Sequence, residues 1–297
     1  MKRILVIGGH SASSDDVAEL TRFCEGVRQT YDGAEVGMLH VDQLQFVIEP
    51  EAMRVLDSKN GQQIAGADLV ILRNKMRTYS TIAYCLSRYC ITEKVNFFND
   101  YSAYFPGTKI AQAVIFYEQR VPFLKTVYAM DHAALTAIIK KELSLPFVLK
   151  DAFGAQGTAN YLIRSFEDLE KCLAGEPDTA FIAQEFCPND RDYRVLVMSD
   201  DHLVFKRQGV AGTHLNNTSQ GAEATLAMDD VPAPIIEQSH QLARHMGLRI
   251  AGVDVVPRLN SHEFYFIETN SQPQIFTGAL HDEKRLHFAR LLQNLLG

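Results

Sequence analysis

Asp254, Glu268 and Asn270 are the residues of this 297-residue chain whose types and spacing speak most directly of chemistry. They belong to Gly252-Val253-Asp254-Val255-Val256 and Phe264-Tyr265-Phe266-Ile267-Glu268-Thr269-Asn270, two strand-like runs joined by the polar turn Pro257-Arg258-Leu259-Asn260-Ser261-His262. A hairpin closing about Ser261 sets Asp254 opposite Glu268, and directly paired residues have Cβ atoms about 4.5–5.5 Å apart. Strict alternation along the second strand puts Phe264, Phe266, Glu268 and Asn270 on one face. Asp, Glu and Asn offer oxygen only, which suits Mg²⁺ held together with waters and phosphates better than zinc. Asp254 is embedded among Ile250, Val253, Val255 and Val256, so a carboxylate there is partly buried and needs a cation or donors. Taken alone, such a pattern more often marks a solvated face or a turn-bonding Asn.

Positive charge recurs at other points. Leu145-Pro146-Phe147-Val148-Leu149-Lys150 reads as a short apolar strand ending in a lysine, followed by the small-residue loop Asp151-Ala152-Phe153-Gly154-Ala155-Gln156-Gly157-Thr158 and a second strand, Asn160 to Ile163. A strand-borne lysine beside glycines can hold phosphates, because fixed charge and closely approaching backbone N–H groups act together. No Gly-Lys-Ser/Thr opens a helix here, so this is not a Walker P-loop. Lys109 falls in the first turn of a helix after Pro106-Gly107-Thr108. Further on, Asp192, Arg194, Leu196 and Met198 share a strand face, and the hairpin partner His202 to Gln208 brings Lys206 and Arg207. The polar stretch Gly209 to Ala224 is too long for a tight turn and is a candidate substrate loop.

The elements that must position these groups alternate early in the chain. Strands at Arg3–Ile7, Glu35–Leu39, Asp68–Leu72 and Val95–Phe98 interleave with helices at about Ser14–Thr30 and Thr81–Cys90. This predicts a small parallel, doubly wound α/β domain. Gly8-Gly9-His10 after the first strand is either a plain tight turn or a ligand-facing loop. The stretch from Tyr101 to about Glu142 reads as helical; then come helices near Phe166–Leu173, Pro234–Met246 and Glu283–Leu296 and a strand at Ala180–Glu185. At 46% hydrophobic residues the chain can build real cores. A net charge of −7 argues against a general nucleic-acid or anionic-membrane binder. Five cysteines without a CxxC pair indicate neither a disulfide framework nor a zinc site, which fits reduced thiols in a cytoplasmic protein. No apolar run approaches the ~18 residues that span a bilayer.

The ordered set Pro146-Phe147-Val148-Leu149-Lys150…Gly154-Ala155-Gln156-Gly157, Gln184-Glu185-Phe186…Asp192-Tyr193-Arg194-Val195-Leu196-Val197, Asn217…Gly221, Ala251-Gly252-Val253-Asp254 and Glu268-Thr269-Asn270 resembles the RimK-type carboxylate–amine ligases of the ATP-grasp superfamily. The resemblance runs from about Lys109 to the C-terminus. It implies an ATP-grasp fold of the mixed α/β (α+β) class, with two α+β subdomains clasping ATP behind a small doubly wound pre-ATP-grasp domain. The implied divisions are 1–100 for that first domain, 101–182 for the central subdomain and 183–297 for the C-terminal one. By position, Lys109 and Lys150 would contact ATP phosphates under a lid made by Gly154, Gln156 and Gly157. Gln184, Glu185 and Phe186 would form the adenine hinge, Asp192 would lie on the ribose side, and Asn217 on the phosphate side. Asp254, Glu268 and Asn270 would ligate Mg²⁺, or Mn²⁺. Arg194 and Arg207 would serve the γ-phosphate and an acyl phosphate, since a guanidinium binds such oxygens bidentately.

The same resemblance implies ATP-dependent formation of a peptide or isopeptide bond from a carboxylate and an amine, with ADP and phosphate released. Expected partners are ATP and a carboxylate- and amine-bearing small molecule, amino acid, peptide or precursor peptide, with no nucleic acid or membrane and with homo-oligomers open. The competing readings are a small-molecule kinase and a non-catalytic nucleotide-binding protein of the same fold. His214, His281 and Glu223 are candidates for a general base. Three positions depart from the family pattern: Ala159 where its loop has a third glycine, Leu215 where it has a basic residue, and Gln274 where glycine usually follows the proline.

Overall fold

The computed structural model describes residues 1–103, 107–154, 159–208 and 223–297. The chain opens with β1 (Lys2–Ile7), α1 (Ser14–Thr30), β2 (Ala34–Leu39), β3 (Leu44–Glu49), β4 (Ala52–Asp57), β5 (Leu69–Leu72), α2 (Ser80–Thr92) and β6 (Phe97–Phe98). Four of these strands form a parallel sheet in the order β2-β1-β5-β6, as the alternating pattern predicts. The Ser13 hydroxyl caps α1 by accepting from the Asp16 N–H. Gly8 and Gly9 make a packed turn: a Cβ on Gly8 would meet the Arg73 carbonyl, and Gly9 has φ +57°. The antiparallel hairpin β3–β4 lies outside the predicted elements; its strands are largely solvent-facing, and Ile48 is 71% exposed.

The middle of the chain is α3 (Lys109–Glu118), β7 (Thr126–Tyr128), α4 (His132–Glu142), β8 (Phe147–Asp151), β9 (Asn160–Ile163), α5 (Phe166–Gly175) and β10 (Phe181–Glu185). The stretch expected to be helical throughout is therefore interrupted. Arg120 at φ 56° ends α3, and Thr126-Val127-Tyr128 pairs with β10 instead of continuing a helix. The four strands form an antiparallel sheet, β7-β10-β8-β9. Leu135, Ile139, Phe147, Leu149, Leu169 and Phe181 fill a core that belongs to this sheet and its two helices, α4 and α5.

The last part is β11 (Asp192–Met198), β12 (Asp201–Gln208), β13 (Glu223–Leu226), α6 (Ala233–His245), β14 (Ile250–Pro257), β15 (Phe264–Asn270) and α7 (His281–Leu296). Its antiparallel sheet runs β13-β12-β11-β14-β15. Val195, Val197, Val253, Val255 and Phe266 on one side join a core that reaches Leu5, Ile7 and Val70 of the first sheet. Leu196, Met198, Phe205 and Ile250 on the other join Phe288 and Leu292 of α7 and Ile4 and Val6 of β1. The first and last sheets thus share their cores, while the central one keeps its own. Among the described residues no helix is long and apolar enough to cross a membrane.

The hairpin register is the expected one, with Asp254 opposite Glu268. The face assignment is not. The register shifts between Asp254 and Val255, so Glu268 pairs with Asp254 and Phe266 with Val255, leaving Ile267 as an extra residue. Such a bulge exchanges faces across one residue. Glu268 and Asn270 lie on the face of Asp254, whereas Phe266 turns into the core with Val253 and Val255.

Candidate functional site

Four strands deliver one polar face. Arg194 opposes Asp254 in the β11–β14 ladder, Asp192 opposes Arg207 in the β11–β12 ladder, and Glu268 and Asn270 stand across from Asp254 and Gly252. Arg194 binds Asp254 bidentately, Nε to Oδ1 at 2.6 Å and Nη2 to Oδ2 at 2.7 Å. Arg207 donates from Nε to Asp192 Oδ1 at 2.6 Å and lies 3.2 Å from Asp254 Oδ1 through Nη2. Asn270 Nδ2 approaches Asp254 Oδ2 at 3.4 Å. Arg194 pairs with neither Asp190 nor Asp192: Asp190 takes Arg191 and Asp192 takes Arg207.

Burial sets the electrostatics of this network. It would raise the Asp254 carboxyl, but Arg194 and Arg207 overcome it and hold the group below the usual carboxylate range. Asp192 is pushed up to about 6 by burial against the pull of Arg207. Arg207 loses hydration too, yet Asp254 and Asp192 keep its guanidinium firmly charged. Arg194 reaches Asp254 by lying over Gly252, where an added Cβ would stand 3.2 Å from Arg194 Nε and 3.1 Å from the Pro273 ring.

The central sheet supplies the other wall. Lys150 Nζ donates to Gln184 Oε1 at 2.7 Å, and Gln184 Nε2 donates to Thr126 Oγ1 at 3.0 Å, so the lysine is held on strand β8 by its neighbours in the sheet. Lys109 Nζ donates to the Gly154 carbonyl at 2.5 Å, while its backbone N–H donates to the Ala152 carbonyl. Gly154 has no room for a side chain, since a Cβ would come within 2.6 Å of the Asp151 carboxylate. Burial pushes Lys150 down to about 8, and the nearby charges of Glu268 and Asp254 oppose that fall. Lys109 is lowered by burial and supported by Glu268 in the same way. Lys109 of α3 and Lys150 of the central sheet therefore sense the carboxylates of the C-terminal sheet. Glu185 is half-exposed, with its carboxylate 3.5 Å from Arg258 and its N–H on the Lys125 carbonyl; Phe186 follows just after the end of β10. Gln156, Gly157 and Asn217, with His214 and Leu215, lie outside the described residues, and the side chain of Glu223 is not described.

Other positioning residues carry no motif. Gln112, 1% exposed on α3, donates to the Gly107 carbonyl at 3.1 Å and accepts from the Thr269 N–H at 2.7 Å, so the helix that begins with Lys109 grips β15 between Glu268 and Asn270. Asn99 donates to the Ile250 and Ser271 carbonyls at 2.9 Å each, and Arg73 donates to the Pro273 carbonyl. The parallel sheet thus holds the loop that leaves Asn270. Only the period of α3, which puts Gln112 among apolar neighbours, could have singled out any of these in the sequence. Ala159, a departure from the family loop, sits at φ 49°, a left-handed conformation that favours glycine. His281, one of the possible bases, opens α7 with an exposed ring 3.4 Å from Asp282.

The donor set can accept a hard cation. The Glu268 side chain makes no hydrogen bond or ion pair among the described residues, and Asn270 Oδ1 is likewise unpaired there, so these side-chain oxygens remain available beside Asp254. The oxygens of Asp254 are shared with the guanidiniums, which makes it the ligand with least free capacity. Among the described residues no trio of His, Cys, Asp or Glu forms a metal-binding group, so a cation here would rely on two carboxylates and an amide, completed from solvent or substrate.

Residues 108–283 match the RimK-like ATP-grasp domain. No curated protein matches the sequence. Among solved structures, the ATP-grasp ligase PsnB complexed with minimal precursor, Mg and ADP superposes with a TM-score of 0.67 at 18% identity, over 97% of this chain and 97% of that one. The Chryseobacterium gregarium RiPP-associated ATP-grasp ligase in complex with ADP and a leader and core peptide gives 0.67 at 15% identity, over 99% and 97%. The macrocyclase MdnC bound with precursor peptide MdnA from Microcystis aeruginosa MRC gives 0.67 at 12% identity, over 98% and 99%. At these identities the likeness is one of fold.

Proposed function

Because this chain belongs to the RimK-like ATP-grasp family, we propose that it is an ATP- and Mg²⁺-dependent carboxylate–amine ligase whose substrate is a peptide. The observation that carries the proposal is the electrostatic coupling of two charged groups of residues: Lys109 at the start of α3 with Lys150 on the central sheet, and Arg194, Arg207, Asp254 and Glu268 on the C-terminal one. In this reading residues 1–100, 101–182 and 183–297 are the three functional units, and nucleotide lies between the last two. Lys109, Lys150 and the loop from Gly154 through Gln156 and Gly157 contact the phosphates. Gln184, Glu185 and Phe186 receive the adenine, Asp192 serves the ribose side, and Asn217 the phosphate side. The peptide assignment draws on the precursor peptides present in the related structures.

A carboxylate is a poor electrophile, so the chemistry needs a leaving group. A substrate carboxylate oxygen attacks the γ-phosphorus, the bond to the bridging oxygen breaks, and ADP departs. The amine nitrogen then attacks the acyl carbon, phosphate leaves with the electron pair of the C–O bond, and the ammonium proton passes to solvent or a base. Glu268, Asn270 and Asp254 would hold Mg²⁺, which when bound neutralises phosphate charge. Arg194 and Arg207 keep their guanidiniums fixed by Asp254 and Asp192, so their remaining N–H donors are oriented before charge develops. In this reading the two walls set the reacting groups side by side.

An assay of ADP release from ATP over a panel of acidic peptides, with hydroxylamine added to trap the activated acyl group, tests this reading. Hydroxamate that depends on both ATP and peptide is the expected result. ADP release with a stable phosphorylated product and no hydroxamate would move the protein to the kinases, and no peptide-stimulated ADP across the panel would remove the ligase assignment.

A further inference from the structure

Lys284 stands in the first turn of α7 and is 3% exposed. Its Nζ donates to the Thr277 carbonyl at 2.7 Å, and among the described residues no carboxylate lies within ion-pairing distance. A small cavity of about 20 Å³ opens in front of it, lined also by Arg194, Pro273, Gln274 and Ala279. Arg194 spends Nε and Nη2 on Asp254, which leaves its Nη1 donors without a partner among the described residues. Burial first, and then the like charge of Arg194, push the lysine down to about 8. Asp254 and Asp192 are both taken up by Arg194 and Arg207, so neither carboxylate is left to pair with Lys284, on which Glu283 alone of the carboxylates acts, from a distance. A buried cation without a counter-charge is costly, and the natural remedy is an anion supplied by the ligand.

The groups that act on Lys150 are Glu268, Lys109 and Asp254, whereas those that act on Lys284 are Arg194 and Glu283. The Arg194–Asp254 pair therefore links the two lysines: its carboxylate acts on Lys150 at the candidate phosphate site, and its guanidinium lines the cavity in front of Lys284. The space holds about one water-sized group, the size of a single carboxylate oxygen and too little for a phosphate chain.

We propose that Lys284 and the free edge of Arg194 form the subsite that binds the substrate carboxylate, as found on an aspartate or glutamate side chain, and present its oxygen to the nucleotide. The inference rests on the ligase reading for the identity of the bound group. Gln274, on the same cavity wall, tunes the subsite: it packs against Gly278, whose φ of +74° and absent side chain leave room for the amide, a Cβ there coming 2.8 Å from Gln274 Oε1. The residue at 274 thereby shapes which carboxylate fits.

The test is direct binding. N-acetyl-glutamate amide and N-acetyl-aspartate amide, with the glutamine and asparagine analogues as neutral controls, are titrated into the full chain with and without ADP and Mg²⁺, followed by ligand-detected NMR. The expected result is binding of at least one acid and of neither neutral control, weakened about tenfold or more by Lys284→Met, the loss typical of a hydrogen bond to a charged group, and partly restored by Lys284→Arg. ADP affinity should stay within about twofold, because Lys284 shares no neighbouring charge with Lys109 or Lys150. Should Lys284→Met fold poorly, Gln274→Glu, which sets a negative charge against the incoming carboxylate, must give the same selective loss. Unchanged acid binding in either folded variant, or no acid binding by a wild-type protein that binds ADP, overturns the subsite alone. Acid binding lost together with ADP binding assigns Lys284 a structural role and also overturns it. A wild-type protein that binds the acid but not ADP keeps the subsite and sinks the ligase reading.

Discussion

Asp254 accepts from Arg194 and Arg207 at once and is 7% exposed, so replacing it strands two guanidiniums in a low-dielectric site. Asp254→Asn should lower the unfolding free energy by about 3–5 kcal/mol, the usual cost of breaking a buried pair, as read from urea denaturation. Glu268→Gln removes no described hydrogen bond but takes away the charge that supports Lys109 and Lys150; it should lower stability less than Asp254→Asn does while abolishing the Mg²⁺ dependence of ADP binding. A larger loss of stability in the second variant than in the first, or none in the first, would contradict these roles. Lys150 supports a pH prediction. Its folded value of about 8 lies below the unfolded lysine value of about 10.4, so between these pH values the unfolded chain binds more protons than the folded one. In that window Lys150 makes stability rise with pH. ATP affinity moves the opposite way, weakening by up to about tenfold per pH unit above 8 as the ammonium is lost, and Lys150→Arg should hold affinity level through the same range. A flat wild-type profile from pH 7 to 10 would remove Lys150 from phosphate binding.

At the scale of elements, α3 matters beyond the lysine at its start. Gln112→Leu leaves the Thr269 N–H unsatisfied in the interior and should cost about 1–3 kcal/mol of stability while weakening the site's hold on Mg²⁺, measured by urea denaturation and by Mg²⁺ titration. A variant with wild-type Mg²⁺ affinity would show that β15 does not need this support. The pairing of Asp254 with Glu268 was legible from turn length alone, and α1 was legible from its Ser13 cap and apolar period. The bulge at Ile267 was not, because nothing in Phe264-Tyr265-Phe266-Ile267 marks the extra residue, and the face of Phe266 was misread with it. Strand β7 was too short at three residues to register against the helical pattern on either side. The Asp192–Arg207 pair needed the β11–β12 register, and Lys284 needed the path of the 271–280 loop; neither follows from local spacing.

Over the whole molecule, the packing predicts unequal stability. The parallel sheet and the C-terminal sheet share two cores, so they should unfold together, whereas the central sheet has its own core of Leu135, Ile139, Phe147, Leu149, Leu169 and Phe181. Native-state hydrogen exchange should find amides of β7 to β10 opening at a lower, separate free energy, and ADP should raise that value toward the rest. Equal opening energies throughout the nucleotide-free protein would show that the sheets act as one unit. The separate core also makes the central unit a portable part. A chimera that takes this segment from a relative would change how the protein handles nucleotide while its choice of substrate stays with the recipient, because Lys284 and Gln274 belong to the C-terminal part and the loop that carries Gln274 is anchored by Arg73 and Asn99 of the N-terminal part.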